Sequence, residues 1–175
     1  CVGETSVPLN DISFSSQVKA GLFDLDHKKV LFAQNMYDQV YPASITKIMT
    51  TLVALEHSTM DETVTFSENA VFSIERGSSH IARTTDEELT MEQCLYAIML
   101  ESANECANAV AEHIAGSTEA FADMMNQKAA DLGCTNTHFV NPHGLHDPEH
   151  PSASEDQERS RSRAEHDAEA RVHHI

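Results

Sequence analysis

A short polar break between two apolar helical patterns constrains the fold of this chain more than any other feature. Thr90 is followed by Gln93 at the spacing of a capping box, which typically begins a helix. The apolar pattern stops at 101–105, "ESANE", and resumes until Gly116, a residue type that commonly ends helices. The sequence therefore predicts two consecutive helices joined by a tight connector. On the first helix we expect burial of Met91, Cys94, Leu95, Ile98 and Met99.

Other segments predict a β-hairpin and three further helices. Alternating residues in 17–35 surround the turn-like letters "DLDHKK", which is typical of two antiparallel strands. Residues 44–57 have helical spacing, a short helix is expected near 67–74, and Ser117 could cap a helix that runs to about residue 131. The predicted fold class is therefore α+β, with an N-terminal β-hairpin and a helical subdomain. In the helix at 44–57, the expected buried residues are Ile45, Ile48, Met49, Leu52 and Val53.

Length and charge restrict the domain organisation and the partners. A chain of 175 residues suits one domain, and its formal net charge of −17 argues against nucleic acid and anionic lipid as partners. No apolar run approaches the roughly 18 residues that a transmembrane helix needs. We predict a flexible leader at 1–15, a folded domain at 16–150 and a charged tail at 151–175. The tail is poor in large apolar residues, so we expect it to be disordered or marginally helical.

The four cysteines predict neither a disulfide framework nor a zinc site. None of them belongs to a C-x-x-C pattern, and Cys94, Cys106 and Cys134 are predicted to be buried as small apolar side chains. The chain starts at Cys1, and a mature bacterial lipoprotein begins with its lipidated cysteine. Cys1 is therefore a candidate membrane tether, with an arbitrary fragment boundary as the alternative.

Histidines crowd one segment near the end of the predicted domain. They are His138, His143, His146 and His150. Metal binding through the last three is one interpretation. The letters "NPHGL" favour a polar turn instead, because proline and glycine occupy turn positions. We therefore predict no metal site here.

Ser44 and Lys47 form the first pair that could carry chemistry. At positions i and i+3 of a helix they share one face, with Cβ atoms about 5–6 Å apart. A serine hydroxyl becomes a nucleophile when a nearby base takes its proton, and a lysine can be that base if burial lowers its pKa. Backbone N–H groups at the helix start could also stabilise an oxyanion. The alternative for Lys47 is a surface residue whose stem lies along apolar neighbours.

Ser102 and Asn104 supply a second pair, on the connector between the two helices. The serine offers a hydroxyl for proton relay. The asparagine offers an amide that can orient a lysine and bind a substrate peptide group. A helix–helix turn with a capping serine is the alternative explanation.

In combination, S-x-x-K followed by S-x-N resembles the motifs of penicillin-binding proteins and serine β-lactamases. The stretches "YPASITKIMTTLVALE", "LTMEQCLYAIMLESANECANAVAEHIAGS" and "FADMMNQKAADLGCTNTHFVNPHGL" are similar to those of the low-molecular-mass D-alanyl-D-alanine carboxypeptidases of bacterial cell-wall metabolism. The resemblance covers about residues 16–150.

The resemblance implies a function and a role for each of the four residues. Ser44 would be the acylated nucleophile and Lys47 its base. Ser102 would pass the proton to the departing D-alanine, and Asn104 would bind substrate and position Lys47. The implied enzyme is a serine-type carboxypeptidase without a cofactor, which cleaves peptidoglycan stem peptides and is acylated by β-lactams. The resemblance also implies a β-lactamase/transpeptidase-like fold and an extracytoplasmic location in the bacterial envelope, secreted or lipid-anchored.

The chain departs from that family in its third motif. It contains no K-T-G or K-S-G sequence, which in the family lies on a strand that binds the substrate carboxylate. We therefore expect missing C-terminal sheet strands, an open sheet edge and impaired turnover. A class A-like serine β-lactamase is one alternative, although "SAN" in place of "SDN" argues against it. A non-catalytic envelope lipoprotein or truncated gene product is the other.

Overall fold

The computed structural model describes residues 6–7, 15, 18–24, 26–27, 29–35, 41–134 and 137–145. Those residues form five strands and five α-helices, so the predicted α+β class is confirmed. In chain order the elements are β1 (Ser6–Val7), β2 (Ala20–Asp24), β3 (Lys29–Gln34), α1 (Thr46–His57), β4 (Thr63–Thr65), α2 (Glu68–Phe72), β5 (Glu88–Thr90), α3 (Met91–Leu100), α4 (Asn104–Ala115) and α5 (Thr118–Asp131). A 3₁₀ turn, Ala43–Ile45, leads directly into α1.

The predicted hairpin is confirmed and belongs to a three-stranded sheet. β2 and β3 pair antiparallel with a shift in register between Leu22 and Phe23, and β1 pairs antiparallel with the other edge of β3. An edge strand offers unpaired N–H and C=O groups, which even two extended residues can satisfy. Ser6 and Val7 therefore differ from the flexible leader predicted for 1–15; most of that leader lies outside the described residues.

A two-stranded sheet was not predicted. β4 pairs antiparallel with β5, with Val64 opposite Leu89. The contact continues beyond the strands, because Phe66 exchanges backbone hydrogen bonds of 2.9 Å with Glu87 and Asp86. Three-residue strands are too short to show a clear alternation of apolar and polar residues, so the sequence pattern could not reveal them.

Local signals at the helix ends are confirmed. The Thr90 side chain accepts from the N–H of Gln93 and the Gln93 side chain accepts from the N–H of Thr90, so the capping box is complete. Gly116 ends α4 with a φ of 83°, in the left-handed region that glycine adopts readily. Ser117 caps α5 by accepting from the N–H of Ala120. Among the residues described, no helix is both long and apolar enough to cross a bilayer.

Two apolar clusters form the core. One packs α3 and α4 against α2 and the β4–β5 sheet; its larger members include Val64, Phe66, Met91, Ile98 and Val110. The second packs α1 against α5; its larger members include Met49, Val53, Phe121, Met125 and Phe139. Of the residues expected to be buried on α3, Met99 is the exception, because it is 50% exposed.

Three cysteines lie within this core, as predicted. Cys94, Cys106 and Cys134 are buried. A hydrogen bond with the Cys94 thiol, together with burial, raises the pKa of the Cys106 thiol. A thiol that stays protonated is unreactive, so Cys106 acts as a small apolar group. Cys1 and the tail at 151–175 lie outside the described residues.

The buried face of α1 differs from the prediction. Ile45 and Ile48 were expected to be buried but are 62% and 44% exposed, whereas Lys47 and Thr50 are buried. The physical reason is the loop at 137–145, which covers the face that carries the polar side chains. Thr50 Oγ1 donates a hydrogen bond of 2.6 Å to a backbone carbonyl of this loop.

Candidate active site

The start of α1 brings Ser44 and Lys47 together. Ala43 has a positive φ of 47°, and Ser44 follows it in the 3₁₀ turn with an exposed side chain. Lys47 lies one turn further along and is only 2% exposed. Its Nζ lies 3.4 Å from Ser44 Oγ. The i, i+3 spacing in the sequence thus corresponds to a hydrogen bond between the two side chains.

Burial changes the acid–base behaviour of Lys47. It lowers the pKa of the ammonium group from 10.5 to about 8, because the charged form loses its hydration. Besides the contact with Ser44, Nζ donates a hydrogen bond of 3.0 Å to the backbone carbonyl of His143. Near pH 8, about half of the molecules therefore hold a neutral amine that can accept a proton.

The carbonyl of His143 is presented by a tight turn within the loop at 137–145. Asn141 Oδ1 accepts from the N–H of His143 (3.2 Å) and of Gly144 (2.6 Å). Its Nδ2 donates to the carbonyl of Leu145 (2.8 Å). One side chain thus binds the backbone of three consecutive residues, 143–145. The turn was predicted, but the contact of its backbone with Lys47 was not.

Glycine permits a close approach between this turn and the 3₁₀ turn. Gly144 has a φ of 79°, and a Cβ there would lie 1.9 Å from the carbonyl oxygen of Ala43 and 2.6 Å from Thr46 Oγ1. Thr50 donates to the carbonyl of Pro142 at the start of the same turn. The loop is therefore held directly against the first two turns of α1.

Ser102, on the connector 101–103, also contacts Ser44. Its φ is 56°, and the following N–H, of Ala103, donates to a carbonyl of α3 (3.2 Å). Ser102 Oγ donates a hydrogen bond of 3.0 Å to Ser44 Oγ. The lysine amine and the two hydroxyls therefore form a continuous series of hydrogen-bonded groups.

Asn104 is the first residue of α4 and is 2% exposed. Its backbone N–H donates to the carbonyl of Ser79 over 3.0 Å. In the described part of the chain, its side-chain oxygen is buried without a hydrogen-bond partner. The expected contact with Lys47 is not among the hydrogen bonds there. No described residue therefore uses the acceptor capacity of this oxygen.

A cavity of about 540 Å³ opens beside the 3₁₀ turn. None of the four predicted site residues lines it, although their neighbours Ala43 and Thr46 do. Its ionisable lining residues are Tyr41, Glu75 and His138. The described residues contain no group of three or more His, Cys, Asp or Glu side chains arranged for a metal. His146 and His150 lie outside them. The apolar part of the lining includes Tyr41, Pro42, Phe139, Val140 and Leu145.

Sequence comparison gives a family match for most of the chain. Residues 6–170 match the D-alanyl-D-alanine carboxypeptidase family, a range wider at both ends than the 16–150 that carries the resemblance. The chain is 39% identical over 142 residues to the D-alanyl-D-alanine carboxypeptidase DacF of Bacillus subtilis. It is 33% identical over 140 residues to DacA of Haemophilus influenzae. These alignments cover 78% and 77% of this chain, but 36% of each relative.

Solved structures show the same fold. The D-alanyl-D-alanine carboxypeptidase DacD of Francisella tularensis aligns with a TM-score of 0.77 at 28% identity, over 100% of this chain and 40% of that one. Penicillin binding protein 5 of Haemophilus influenzae aligns with a TM-score of 0.78 at 27% identity, over 95% and 46%. The predicted likeness to this fold is therefore confirmed. The chain corresponds to less than half the length of these relatives.

Proposed function

The chain belongs to the D-alanyl-D-alanine carboxypeptidase family, and on this premise we propose that it uses Ser44 to remove the terminal D-alanine of peptidoglycan stem peptides. The proposed reaction is a serine-type acyl transfer through a covalent acyl-enzyme, without a cofactor. The observation that carries the proposal is the hydrogen-bonded series of Lys47 Nζ, Ser44 Oγ and Ser102 Oγ. In this series the amine is buried and the central hydroxyl is exposed, as a base and a nucleophile require.

Acylation begins with a proton transfer. Neutral Lys47 accepts the proton of the Ser44 hydroxyl while the oxygen attacks the carbonyl carbon of the penultimate D-alanine. The new C–O bond creates a tetrahedral oxyanion, which backbone N–H groups at the start of α1 can stabilise. The C–N bond then breaks, and its electron pair leaves with the nitrogen of the terminal D-alanine.

Ser102 supplies the proton that the leaving nitrogen needs. Its hydroxyl lies 3.0 Å from Ser44 Oγ, and therefore next to the bond that breaks. The ammonium of Lys47 returns a proton to Ser102, which restores both groups. Water then attacks the ester carbonyl of the acyl-enzyme, releases the shortened peptide and returns a proton to Ser44.

Asn104 has a proposed role in binding. Its buried side-chain oxygen has no hydrogen-bond partner in the described structure, and leaving it so is unfavourable. A peptide N–H of the substrate, or the ammonium of Lys47 during the reaction, could satisfy it. The first contact would hold the substrate close to the Ser44 hydroxyl, and the second would position Lys47.

Acylation by a fluorescent penicillin tests this function. The wild-type chain should be labelled, peptide mass mapping should place the adduct on Ser44, and Ser44→Ala should abolish it. Ser58→Ala, at the other end of α1, is the matched control and should label like the wild type. An adduct on Ser102, or labelling that survives Ser44→Ala, would contradict the assignment. Rapid penicillin turnover without a stable adduct would favour a β-lactamase.

We also propose an extracytoplasmic site of action, where peptidoglycan is found and β-lactams would act as acylating inhibitors. The 175 residues contain no K-T-G or K-S-G sequence, so we propose that D-alanine release by these residues alone is slow. Loss of one oxyanion-hole donor costs roughly 10²–10³ in kcat, which indicates the scale. The tether through Cys1 stays a prediction, as does the domain division at 15 and 150.

A further inference from the structure

Glu105, directly after Asn104, carries a buried carboxylate that the proposed mechanism does not use. It is 1% exposed and is among the largest fully buried side chains of the described residues. Removing a carboxylate from water costs free energy unless hydrogen bonds replace its hydration. The groups that hydrogen-bond to this carboxylate therefore indicate what its burial contributes to the structure.

One oxygen of this carboxylate binds the backbone of a neighbouring segment. Glu105 Oε1 accepts a hydrogen bond of 2.6 Å from the N–H of Ile81. A charged acceptor makes such a bond stronger than one between neutral groups. The other oxygen, Oε2, is buried without a hydrogen-bond partner in the described part of the chain. The first turn of α4 favours a negative charge here, because a helix N-terminus carries a partial positive charge.

Two further hydrogen bonds attach the same segment to α4. The N–H of Asn104 donates to the carbonyl of Ser79 (3.0 Å), and Asn108 Nδ2 donates to Ser73 Oγ (3.1 Å). The segment 73–81 therefore follows the first two turns of α4. Of these three contacts, only the hydrogen bond to Ile81 uses the side chain of Glu105. A substitution of Glu105 can therefore remove this hydrogen bond while the other two remain.

The conformation of Ser102 makes its position sensitive to this attachment. A non-glycine residue at a φ of 56° is held there by its surroundings rather than by its own preference. The connector continues directly into Asn104 and Glu105, which are the residues bonded to the segment 79–81. A displacement of the start of α4 would therefore change the 3.0 Å contact between Ser102 and Ser44.

We propose that Glu105 is a positioning residue for the reaction. Its carboxylate holds the segment 79–81 against the start of α4, and this contact keeps Ser102 and Asn104 at the distance from Ser44 that acyl transfer requires. The inference rests on the proposed function, since it concerns the same site. Glu105 itself touches neither the nucleophile nor the base among the hydrogen bonds of the described residues.

The test compares Glu105→Ala, Glu105→Asp and Glu105→Gln in the full chain with the wild type. Labelling by a fluorescent penicillin gives two quantities, namely the fraction of molecules that can be acylated and the acylation rate constant of that fraction. Glutamine keeps an acceptor oxygen at the same reach, so its rate constant should stay within about threefold of the wild type. Alanine lacks the acceptor and aspartate is shorter by one methylene, and both should lower the rate constant roughly 10- to 100-fold.

A matched control separates positioning from charge and folding. Glu101→Ala removes an exposed carboxylate from the same connector and should leave the rate constant unchanged. Hydrogen exchange at the amide of Ile81 should become faster in Glu105→Ala. If Glu105→Ala and Glu105→Asp lower only the labelled fraction and keep the wild-type rate constant, Glu105 is merely structural and the inference is overturned. If the wild type itself is not acylated, the proposed function fails first and the role of Glu105 fails with it.

Discussion

Gly144→Ala should displace the turn that holds Lys47. A Cβ at this position would lie 1.9 Å from the carbonyl oxygen of Ala43, whereas real Cβ atoms essentially never come within 3.0 Å of such an atom. The turn at 141–145 or the start of α1 must therefore move by about 1 Å, because a closely packed region has no space to absorb the methyl group. The obstacle is backbone, so a change of side-chain rotamer cannot relieve it.

The magnitude of the effect has two parts. Alanine at a φ of 79° is less favourable than glycine by roughly 1–2 kcal/mol, which lowers the free energy of unfolding. The displacement adds to this and also affects chemistry, because Lys47 Nζ and the carbonyl of His143 are 3.0 Å apart and a shift of about 1 Å would break their hydrogen bond. A misplacement of about 1 Å near reacting groups can cost roughly 10²-fold in rate.

The assay combines thermal unfolding with the rate constant of acylation by a fluorescent penicillin. Gly133→Ala is the matched control: Gly133 has a φ of 80°, but a Cβ there would meet no atom within 4 Å. Both variants should lose the roughly 1–2 kcal/mol that the backbone conformation costs. The roughly 10²-fold loss of acylation rate should appear in Gly144→Ala alone.

Two results would refute this reasoning. Wild-type acylation and stability in Gly144→Ala would show that the turn can move without disturbing Lys47. Equal losses in both glycine variants would show that the backbone conformation, and not the close approach to Ala43, is responsible.

Other expected outcomes concern single side chains. The acylation rate should rise with pH to a plateau above about 8, because Lys47 must be neutral to accept the proton of Ser44; a pH–rate profile measures this. Between pH 8 and 10.5 the unfolded chain keeps the Lys47 proton that the folded chain has lost. As the pH rises through this range, the free energy of unfolding of the wild type, measured in urea, should therefore increase by roughly 3 kcal/mol relative to that of Lys47→Met. An equal pH dependence of both proteins would argue against a lowered pKa. Thr90→Ala should cost about 1 kcal/mol through loss of the capping box, and Thr90→Ser should largely keep it. Asn126→Ala removes hydrogen bonds of 2.7 and 2.8 Å to the backbone of Phe139 and should cost roughly 2 kcal/mol in chemical unfolding, whereas an unchanged midpoint would mean that water replaces them.

The sequence predicted those parts of the fold whose signals are local. The capping box at Thr90 and the glycine at 116 act on their own helix, so the helix ends were found from a few neighbouring residues. The pairing of β4 with β5 joins Thr63 to Thr90 across the chain. Three residues of each strand carry too little pattern to reveal such a pairing. The two-residue strand β1 has the same limitation.

The candidate site shows the same division. Helix geometry dictates that Ser44 and Lys47 share a face, so their hydrogen bond could be predicted from spacing alone. The contact between Ser44 and Ser102 joins residues 58 positions apart, and only the resemblance to a family suggested it. The carbonyl of His143 lies 96 positions from Lys47. Because every residue has a backbone carbonyl, no residue type marks this partner in the sequence.

The burial of Lys47 in place of its apolar neighbours connects the stability of α1 with its chemistry. Full burial of an isoleucine is worth roughly 1.5–3 kcal/mol, and much of this is forgone at Ile45 and Ile48, which are 62% and 44% exposed. Burying an ammonium adds a further cost, which the lowered pKa of Lys47 expresses. The loop at 137–145 holds this orientation of the helix through hydrogen bonds to Thr50 and Lys47. Proteins depart from the usual burial pattern mainly at functional sites. Here the departure places a buried amine with a lowered pKa beside an exposed hydroxyl. The burial that costs stability in α1 therefore also gives Lys47 the property that its proposed role as a base requires.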